Sequence, residues 1–322
     1  ALVKQTISPP HFKNSMPLPI PERSVSLRHV KGDNYVISFS LRAGRGVSHD
    51  VPILARDGYM RSILSELCGE NTKMGAVVVE QDRLRPSRWY LRIAYTRRVS
   101  HIARNAQRIA AVHPGICTFI TALTSSGERW VYDGADIEAY LAQIQRRRKS
   151  YQRTSKASGR NGHGRARMLS PIKKLEDAGT RWRATKIQTL ARRLAMWLRD
   201  AKVTHVYMPD FSGIRDGLPE KLQGGKPIWD RVQSWPYFQQ QAALVSCLEE
   251  YGITSSKIPS PGTAMTCPAC LHASPENIDL RNRRLLCVEC AHSEVLDISA
   301  CKNILRMGPE FEAVAEADKK KS

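Results

Sequence analysis

The chain of 322 residues carries 50 Lys and Arg against 30 Asp and Glu, which gives a formal net charge of +20 at pH 7. This length predicts about two domains with a sizeable core, and the positive charge favours an anionic partner. Nucleic acid is favoured over a membrane because no apolar run approaches the roughly 18 residues of a membrane span. No signal segment is recognisable, so we expect a soluble cytoplasmic protein, associated with the nucleoid in a prokaryotic cell.

The first part of the chain is rich in strand signals. Residues 1–24 are Pro-rich without a hydrophobic pattern, so we expect a leader or linker there. "GAVVVEQD" and "RWYLRIAYT" favour β-branched and aromatic residues, and "DGYMRSILSELCG" predicts a short helix ending at Gly69. In "NYVISFSL", alternate residues share one face: Tyr35, Ile37, Phe39 and Leu41. Residues 25–106 are therefore predicted to form a small β-rich domain.

The remaining chain alternates strands with helices. Residues 110–123, "AAVHPGICTFITAL", predict one buried strand that begins with His113 and a Pro-Gly turn. Its part "GICTFITAL" is predicted to be joined to a strand in "ERWVYD" by a hairpin at Ser125-Ser126-Gly127. Further strands are predicted in "VTHVYMPDF" and "GITSSKI", and helices in residues 137–200, in a stretch from about Trp235 to Tyr251, and in "DISACKNILRMG". The first of these helical regions contains an amphipathic stretch, whose apolar positions are Ile187, Leu190, Ala191, Leu194 and Leu198. This order predicts an α/β layered fold.

Four of the eight cysteines form two knuckles, Cys267-x2-Cys270 and Cys287-x2-Cys290, around the spacer 271–286. Paired knuckles let four thiolates converge in a tetrahedron, so we predict a structural zinc ion with no open position for catalysis. His272 and His292 lie beside the knuckles and are expected to be outer groups rather than ligands. The other four cysteines are expected to be buried free thiols: Cys68, Cys117, Cys247 and Cys301.

The segments around the knuckles resemble a known family. "TAMTCPACLHAS" and "LLCVECAHSEVLDISACKNIL" resemble the C-terminal end of transposon-encoded TnpB proteins and their descendants, the type V CRISPR effectors. "RWRATKIQTLARRLAMWLRDAKVTHVYMPDFSGIRD" and "SWPYFQQQAALVSCLEEYGI" are similar to the family's basic helix and strand and to the helix before the ribbon. The likeness covers roughly residues 107–305. It implies RNA-guided action on double-stranded DNA.

The resemblance also implies a domain organisation. It predicts an α/β, RNase H-like (RuvC) domain with an inserted four-cysteine zinc ribbon, preceded by a small β-rich, wedge-like domain. The implied segments are a leader or linker at 1–24, the wedge-like domain at 25–106, the first part of the RuvC-like fold at 107–262, the ribbon at 263–292, the last RuvC-like helix at 293–310 and a charged tail at 311–322.

The family hydrolyses nucleic acid with two Mg²⁺ ions held by three carboxylates. Carried over by motif, the first position is His113, the second is Pro209 and the third, Asp297, remains acidic. Ser260 stands where some relatives carry a relocated Glu. An imidazole suits Zn, Cu or Ni better than Mg, and a proline side chain ligates nothing. The resemblance therefore implies a nuclease-dead member, for which Mg is not an expected cofactor.

Two alternatives remain open. A one-residue bulge would turn Asp210 toward Asp297 and leave an active Mg-dependent nuclease, whereas without a bulge Asp210 faces away. A guide-free DNA-binding or scaffolding accessory protein is the other alternative. With the metal site lost, His113 is expected to be a satisfied polar residue at a strand end.

Basic residues concentrate in residues 146–193 and are predicted to bind phosphates of a guide RNA and of the target DNA. They are Arg146, Arg147, Arg148, Lys149, Arg160, Arg165, Arg167, Arg181, Arg183, Lys186, Arg192 and Arg193. Core packing is expected for Trp130 and Trp235, while Trp182 and Trp229 stay open between packing and base stacking. No helical recognition region is evident before residue 107. Either the chain is the C-terminal portion of a larger effector, or recognition is reduced or supplied by a partner. The expected further partners are transposition proteins or a protein that supplies this region.

Overall fold

The computed structural model describes the chain except for residues 1–15, 33, 41–47, 56, 70–71, 83–86, 100–107, 116–117, 158–162, 213–236, 260–261, 280 and 320–322. The chain forms two compact units, Ala1–Arg98 and Val99–Ser322. The boundary predicted between residues 106 and 107 falls outside the described residues. Among the described helices, none combines the length and the apolar character needed to cross a bilayer.

The N-terminal unit contains two antiparallel three-stranded sheets and one helix. Its elements are β1 (Leu18–Ile20), β2 (Val25–Lys31), β3 (Asn34–Ser40), β4 (Ser48–Ile53), α1 (Gly58–Leu67), β5 (Thr72–Gln81) and β6 (Trp89–Arg97). The strand orders are β2-β3-β4 and β1-β5-β6. The three predicted strands and the short helix are confirmed. Strand β1 lies in the segment predicted as a leader or linker, because Ile20 is buried in the core with Val77.

The C-terminal unit is built around a five-stranded mixed sheet. Its strands are β7 (Ile109–His113), β8 (Ile120–Thr124), β9 (Arg129–Tyr132), β10 (His205–Asp210) and β11 (Thr254–Pro259), and its helices are α2 (Ala135–Ala157), α3 (His163–Asp200), α4 (Tyr237–Glu250) and α5 (Leu296–Lys319). The strand order is β11-β10-β7-β8-β9. Strand β10 is parallel to both neighbours, and β7, β8 and β9 are antiparallel.

The single strand predicted over residues 110–123 is wrong. Two antiparallel strands, β7 and β8, take its place, with His113 opposite Thr121. His113 therefore ends a strand rather than beginning one, because Pro114-Gly115 reverses the chain after it. Both strands are buried on both faces, so the apolar run shows no alternation that would reveal the turn.

Helices cover both faces of this sheet. On one face, the five predicted apolar positions of α3 are all buried and pack with Val206 and Met208 of β10. On the other face, Cys301 and Ile304 of α5 pack against Tyr207. Successive side chains of β10 thus alternate between the α3 side and the α5 side, as the pleat requires. This alternation decides which residues of β10 can reach α5.

A small ribbon precedes α5. It contains β12 (Ile278–Asp279), β13 (Arg284–Leu286) and β14 (Ser293–Val295), all antiparallel. Asn303 of α5 donates its side-chain amide to the carbonyls of Thr263 and Thr266, at 2.9 and 2.7 Å, and so ties the ribbon to the helix. Helix α5 continues to Lys319, through residues that the sequence predicts as a charged tail.

Candidate metal centre and nucleic-acid interface

The four predicted cysteine ligands meet in one cluster. Their Sγ atoms all lie within 4.8 Å of one another. The separation is 3.6 Å between Cys267 and Cys290, and 3.5 Å between Cys270 and Cys287. A tetrahedral ion with Zn–S bonds of about 2.3 Å places its sulfurs about 3.8 Å apart. The cluster therefore fits one metal ion such as zinc, and four thiolates leave no position for a substrate.

The two knuckles have the same backbone geometry. In the first, the amide of Leu271 donates to the carbonyl of Cys267 at 3.0 Å, and Leu271 has a φ of 66°. In the second, the amide of Ala291 donates to the carbonyl of Cys287 at 3.0 Å, and Ala291 has a φ of 56°. Left-handed residues at these positions turn each chain sharply enough for both cysteines to face one point. Neither His272 nor His292 belongs to the cluster found among the described residues.

The remaining cysteines are not equivalent. Cys247 and Cys301 are buried free thiols, as predicted, whereas Cys68 is exposed and its predicted burial is wrong. Cys68 is the C-cap of α1, where the chain leaves the apolar face of the helix. Burial raises the pKa of Cys247 to about 11, so this thiol is inert at neutral pH. Cys117 lies outside the described residues.

A second candidate site lies where β7 ends against the first turn of α5. We call His113, Gly115, Thr121, Pro209 and Asp297 the strand-end corner. His113 Nδ1 lies 3.4 Å from Asp297 Oδ1, and the two side chains are 13% and 5% exposed. Within the described residues, His113 Nδ1 and Asp297 Oδ2 are buried without a hydrogen-bond partner. The prediction of a satisfied polar residue therefore fails at Nδ1 of His113, whose 3.4 Å separation from Asp297 Oδ1 is longer than a normal hydrogen bond.

Gly115 leaves room for this carboxylate. A Cβ at position 115 would lie 2.6 Å from Asp297 Oδ1 and 2.9 Å from the carbonyl oxygen of Thr118. Any other residue would therefore push the turn away from α5. Sequence reasoning did not identify this role of Gly115, although the Pro-Gly pair after a buried run was the available signal.

The two residues at the end of β10 point in opposite directions. Tyr207 packs on the α5 side and Met208 on the α3 side, so the alternation of the strand directs Pro209 toward α5 and Asp210 toward the α3 side. The register of β10 with β11 runs without a break through Asp210, so the bulge required by the alternative is absent here. Ser212 donates its amide and its hydroxyl to the Asp210 carboxylate, each at 2.9 Å, and these bonds lower the pKa of Asp210. Ser260 lies outside the described residues.

Several of the predicted nucleic-acid residues pair with acidic side chains. Arg148 lies 3.2 Å from Glu176, Arg181 2.7 Å from Asp177, Lys186 2.6 Å from Asp136 and Arg192 3.4 Å from Glu250. Three of these pairs connect different helices. A hydrogen bond to Asp136 raises the pKa of Lys186. These side chains therefore support the packing of α2, α3 and α4, whatever else they bind.

The other predicted basic residues that the structure describes lie on α2 and α3. Arg146 to Lys149 are consecutive and exposed on α2, so their side chains point about 100° apart around the helix. Arg193 is exposed on α3, and Arg183 is half-buried. The side chains of Arg160, Arg165 and Arg167 lie outside the described residues.

Of the four tryptophans considered for base stacking, Trp130 and Trp182 are in intramolecular stacks. Trp182 stacks on Tyr140 with ring centroids 4.0 Å apart, and Trp130 stacks on Tyr132 at 6.5 Å. Both indoles also pack against the main core of the C-terminal unit, which confirms the packing role predicted for Trp130. Trp229 and Trp235 lie outside the described residues.

Comparison with known proteins gives a consistent group of relatives. The chain is 26% identical over 320 residues to the CRISPR-associated endodeoxyribonuclease Cas12f1 of Sulfoacidibacillus thermotolerans, covering 94% of this chain and 71% of the relative. It is 25% identical over 281 residues to the Cas12f1 of Syntrophomonas palmitatica, covering 81% of this chain and 54% of that relative. The chain is thus shorter than both relatives. No protein-family model matches it.

Solved structures give the same result for the fold. The cryo-EM structure of a Cas12f1–sgRNA–target DNA complex matches with a TM-score of 0.65 and 16% identity, covering 94% of this chain and 67% of that one. A CRISPR–Cas12f ternary complex matches with a TM-score of 0.51 and 17% identity, over 94% and 66% of the two chains. In sequence and in fold, the chain is therefore similar to the CRISPR-associated endodeoxyribonucleases named Cas12f1.

Proposed function

We propose that this chain is an RNA-guided double-stranded DNA-binding protein whose RuvC-like domain does not cleave DNA. It acts by occupying its target, as a repressor does, or by recruiting other machinery. The relatives are named endodeoxyribonucleases, and the matched structure is a complex with a guide RNA and target DNA. The five-stranded mixed sheet with helices on both faces supports an RNase H-like assignment for the C-terminal unit.

The observation that carries the proposal is the composition of the strand-end corner. Two Mg²⁺ ions about 4 Å apart need several carboxylate oxygens to offset their mutual repulsion. Asp297 is the one carboxylate at this corner in the described residues, with an imidazole 3.4 Å away and Pro209 on the neighbouring strand. These residues do not fit a pair of hard cations, so no hydrolytic step is assigned to them.

Binding, in contrast, needs no carboxylates. Exposed Arg146, Arg147, Lys149 and Arg193 supply positive charge that is not committed to the ion pairs described above. Contacts of this kind hold a duplex by its phosphates and its shape, while base pairing to the guide reads the sequence. The proposal therefore separates target binding, which is retained, from scission, which is lost.

A first experiment tests guided binding. We expect the purified protein to carry one enriched RNA species, and RNase treatment to remove its sequence-specific affinity for a DNA duplex. Affinity should fall steeply with salt because bound phosphates release counterions. DNA affinity that RNase leaves unchanged would instead support the guide-free accessory protein.

A second experiment tests cleavage. With the recovered guide and a matched plasmid in Mg²⁺ or Mn²⁺, we expect target binding without nicks or breaks. Asp297→Asn and Asp210→Asn are the informative variants, since the active alternative needs both carboxylates. Cleavage by the wild type that either variant abolishes would overturn the proposal and establish the nuclease.

The proposal includes partners besides the guide RNA and the target DNA. We propose that transposition proteins, or a protein that supplies a helical recognition region, complete the assembly on DNA. Affinity capture with the guide bound, followed by mass spectrometry, would identify such a partner. Repeating the capture after removal of the guide would separate guide-dependent partners from proteins that bind the basic surface nonspecifically.

A further inference from the structure

The strand-end corner contains an unusual concentration of unsatisfied polar atoms. His113 Nδ1, Asp297 Oδ2 and Thr121 Oγ1 are all buried without a hydrogen-bond partner among the described residues. Thr121 lies directly opposite His113 in the β7–β8 ladder, and its side chain shares the α5 face with Leu123. Asp297 is 4% exposed and Thr121 is 1% exposed. The unsatisfied oxygen of Asp297 is Oδ2, while Oδ1 has the His113 imidazole 3.4 Å away. Leaving a buried carboxylate oxygen unsatisfied costs substantial free energy, which a bound cation would remove.

The distance between the His113 imidazole and the Asp297 carboxylate indicates how these two groups interact. A charge-assisted hydrogen bond between an imidazole and a carboxylate is about 2.7–2.9 Å long. The separation of 3.4 Å between His113 Nδ1 and Asp297 Oδ1 is longer than such a bond. Two ligands bound at about 2.1 Å to one tetrahedral ion lie about 3.4 Å apart. The pair is therefore spaced as two ligands of a single ion.

The ligand types also select the ion. One imidazole nitrogen and one carboxylate oxygen suit a borderline transition metal rather than Mg²⁺, which prefers oxygen ligands in an octahedron. We propose that His113 Nδ1 and Asp297 bind one divalent transition-metal ion such as zinc, with the Thr121 hydroxyl beside it. Water or a phosphate oxygen completes the coordination. This single ion links β7 to α5 and stands in place of a catalytic pair of metal ions.

Cobalt(II) is a direct probe of this site. Full-length protein with one zinc per chain in the ribbon is titrated with Co²⁺ in the absence of guide and target. We expect one further ion per chain, with the visible d–d absorption of a tetrahedral site and no thiolate-to-cobalt charge-transfer band. That band would report exchange into the cysteine cluster, and its appearance as the sole signal would overturn the proposal.

Matched variants locate the ion. His113→Ala and Asp297→Asn should each weaken cobalt binding by at least about tenfold. Asp210→Asn is the control, since that carboxylate is close in sequence to the corner residue Pro209 but faces the α3 side. Cobalt uptake that persists in both His113→Ala and Asp297→Asn would overturn the proposal. Loss of cobalt uptake in Asp210→Asn to the same extent would also overturn it.

Folding is checked independently. Asp297→Asn keeps the side-chain shape and removes a buried charge whose Oδ2 has no hydrogen-bond partner, so the variant without a second metal should melt no lower than the wild type. Added Zn²⁺ should raise the melting temperature of the wild type and not that of Asp297→Asn, because only a native-state site gains from the ligand. An equal response would contradict the assignment. Since no nucleic acid is present, failure here leaves RNA-guided binding untouched.

Discussion

The zinc ribbon and the strand-end corner differ in how their ligands are brought together, although α5 begins between them. Leu296 packs against Cys267 and Cys287 of the ribbon, and the next residue, Asp297, lies in the corner. The ribbon takes its four ligands from two short knuckles of identical geometry. The corner takes its groups from three strands and a helix that are far apart in the sequence. Local turns therefore specify the first centre, and only tertiary packing specifies the second.

The largest effect is expected when the metal is removed from the zinc ribbon. Cys267→Ser should abolish zinc in the ribbon and unfold it, because structural zinc sites contribute on the order of 10 kcal/mol to folding at pH 7. Zinc content per chain and proteolysis of residues 263–295 measure the result. Cys68→Ser is the control, since that cysteine is exposed and free, and it should retain one zinc per chain. A stable, zinc-free ribbon in Cys267→Ser would contradict the structural role.

A smaller effect is expected at the corner from Gly115→Ala. The added Cβ would lie 2.6 Å from Asp297 Oδ1 and 2.9 Å from the carbonyl oxygen of Thr118, so the Asp297 side chain and the backbone at Thr118 must shift, at a cost of about 2 kcal/mol. Urea denaturation measures the change in the free energy of unfolding. Gly58→Ala is the matched control because nothing lies within 4 Å of its added Cβ. Equal losses in both variants would show that the corner is not tightly packed. The ribbon should keep its zinc in either variant.

The smallest expected effect concerns Asp210, whose carboxylate accepts hydrogen bonds from Ser212. Because Ser212 lowers the pKa of Asp210, the interaction stabilises the fold above the unfolded pKa and is lost as pH falls through the lowered value. Ser212→Ala should therefore cost about 1 kcal/mol at pH 7, and the difference from wild type should vanish in acid. Thermal melts from pH 7 into acid measure the stability difference between Ser212→Ala and wild type. Ser62→Ala, at an exposed position, is the pH-independent control. A loss that persists in acid would contradict this origin.

Much of the fold followed from patterns that need only neighbouring residues. Alternation in β3 and the helical spacing of Leu190, Leu194 and Leu198 predicted elements that the structure contains. The run at 110–123 was misassigned because strands buried on both faces lack alternation. Exposed Cys68 was misassigned because burial depends on what packs over a helix end, which no local pattern records.

For the sites, the sequence by itself determined the cysteine cluster and the identities of His113, Pro209 and Asp297. Each knuckle is a short local turn, so its spacing already specifies its geometry. Only the tertiary structure decided that His113 and Asp297 lie 3.4 Å apart and that Asp210 faces the other side of the sheet. The reason is that strand register and helix docking position residues that are far apart along the chain, and a sequence pattern carries no such distance.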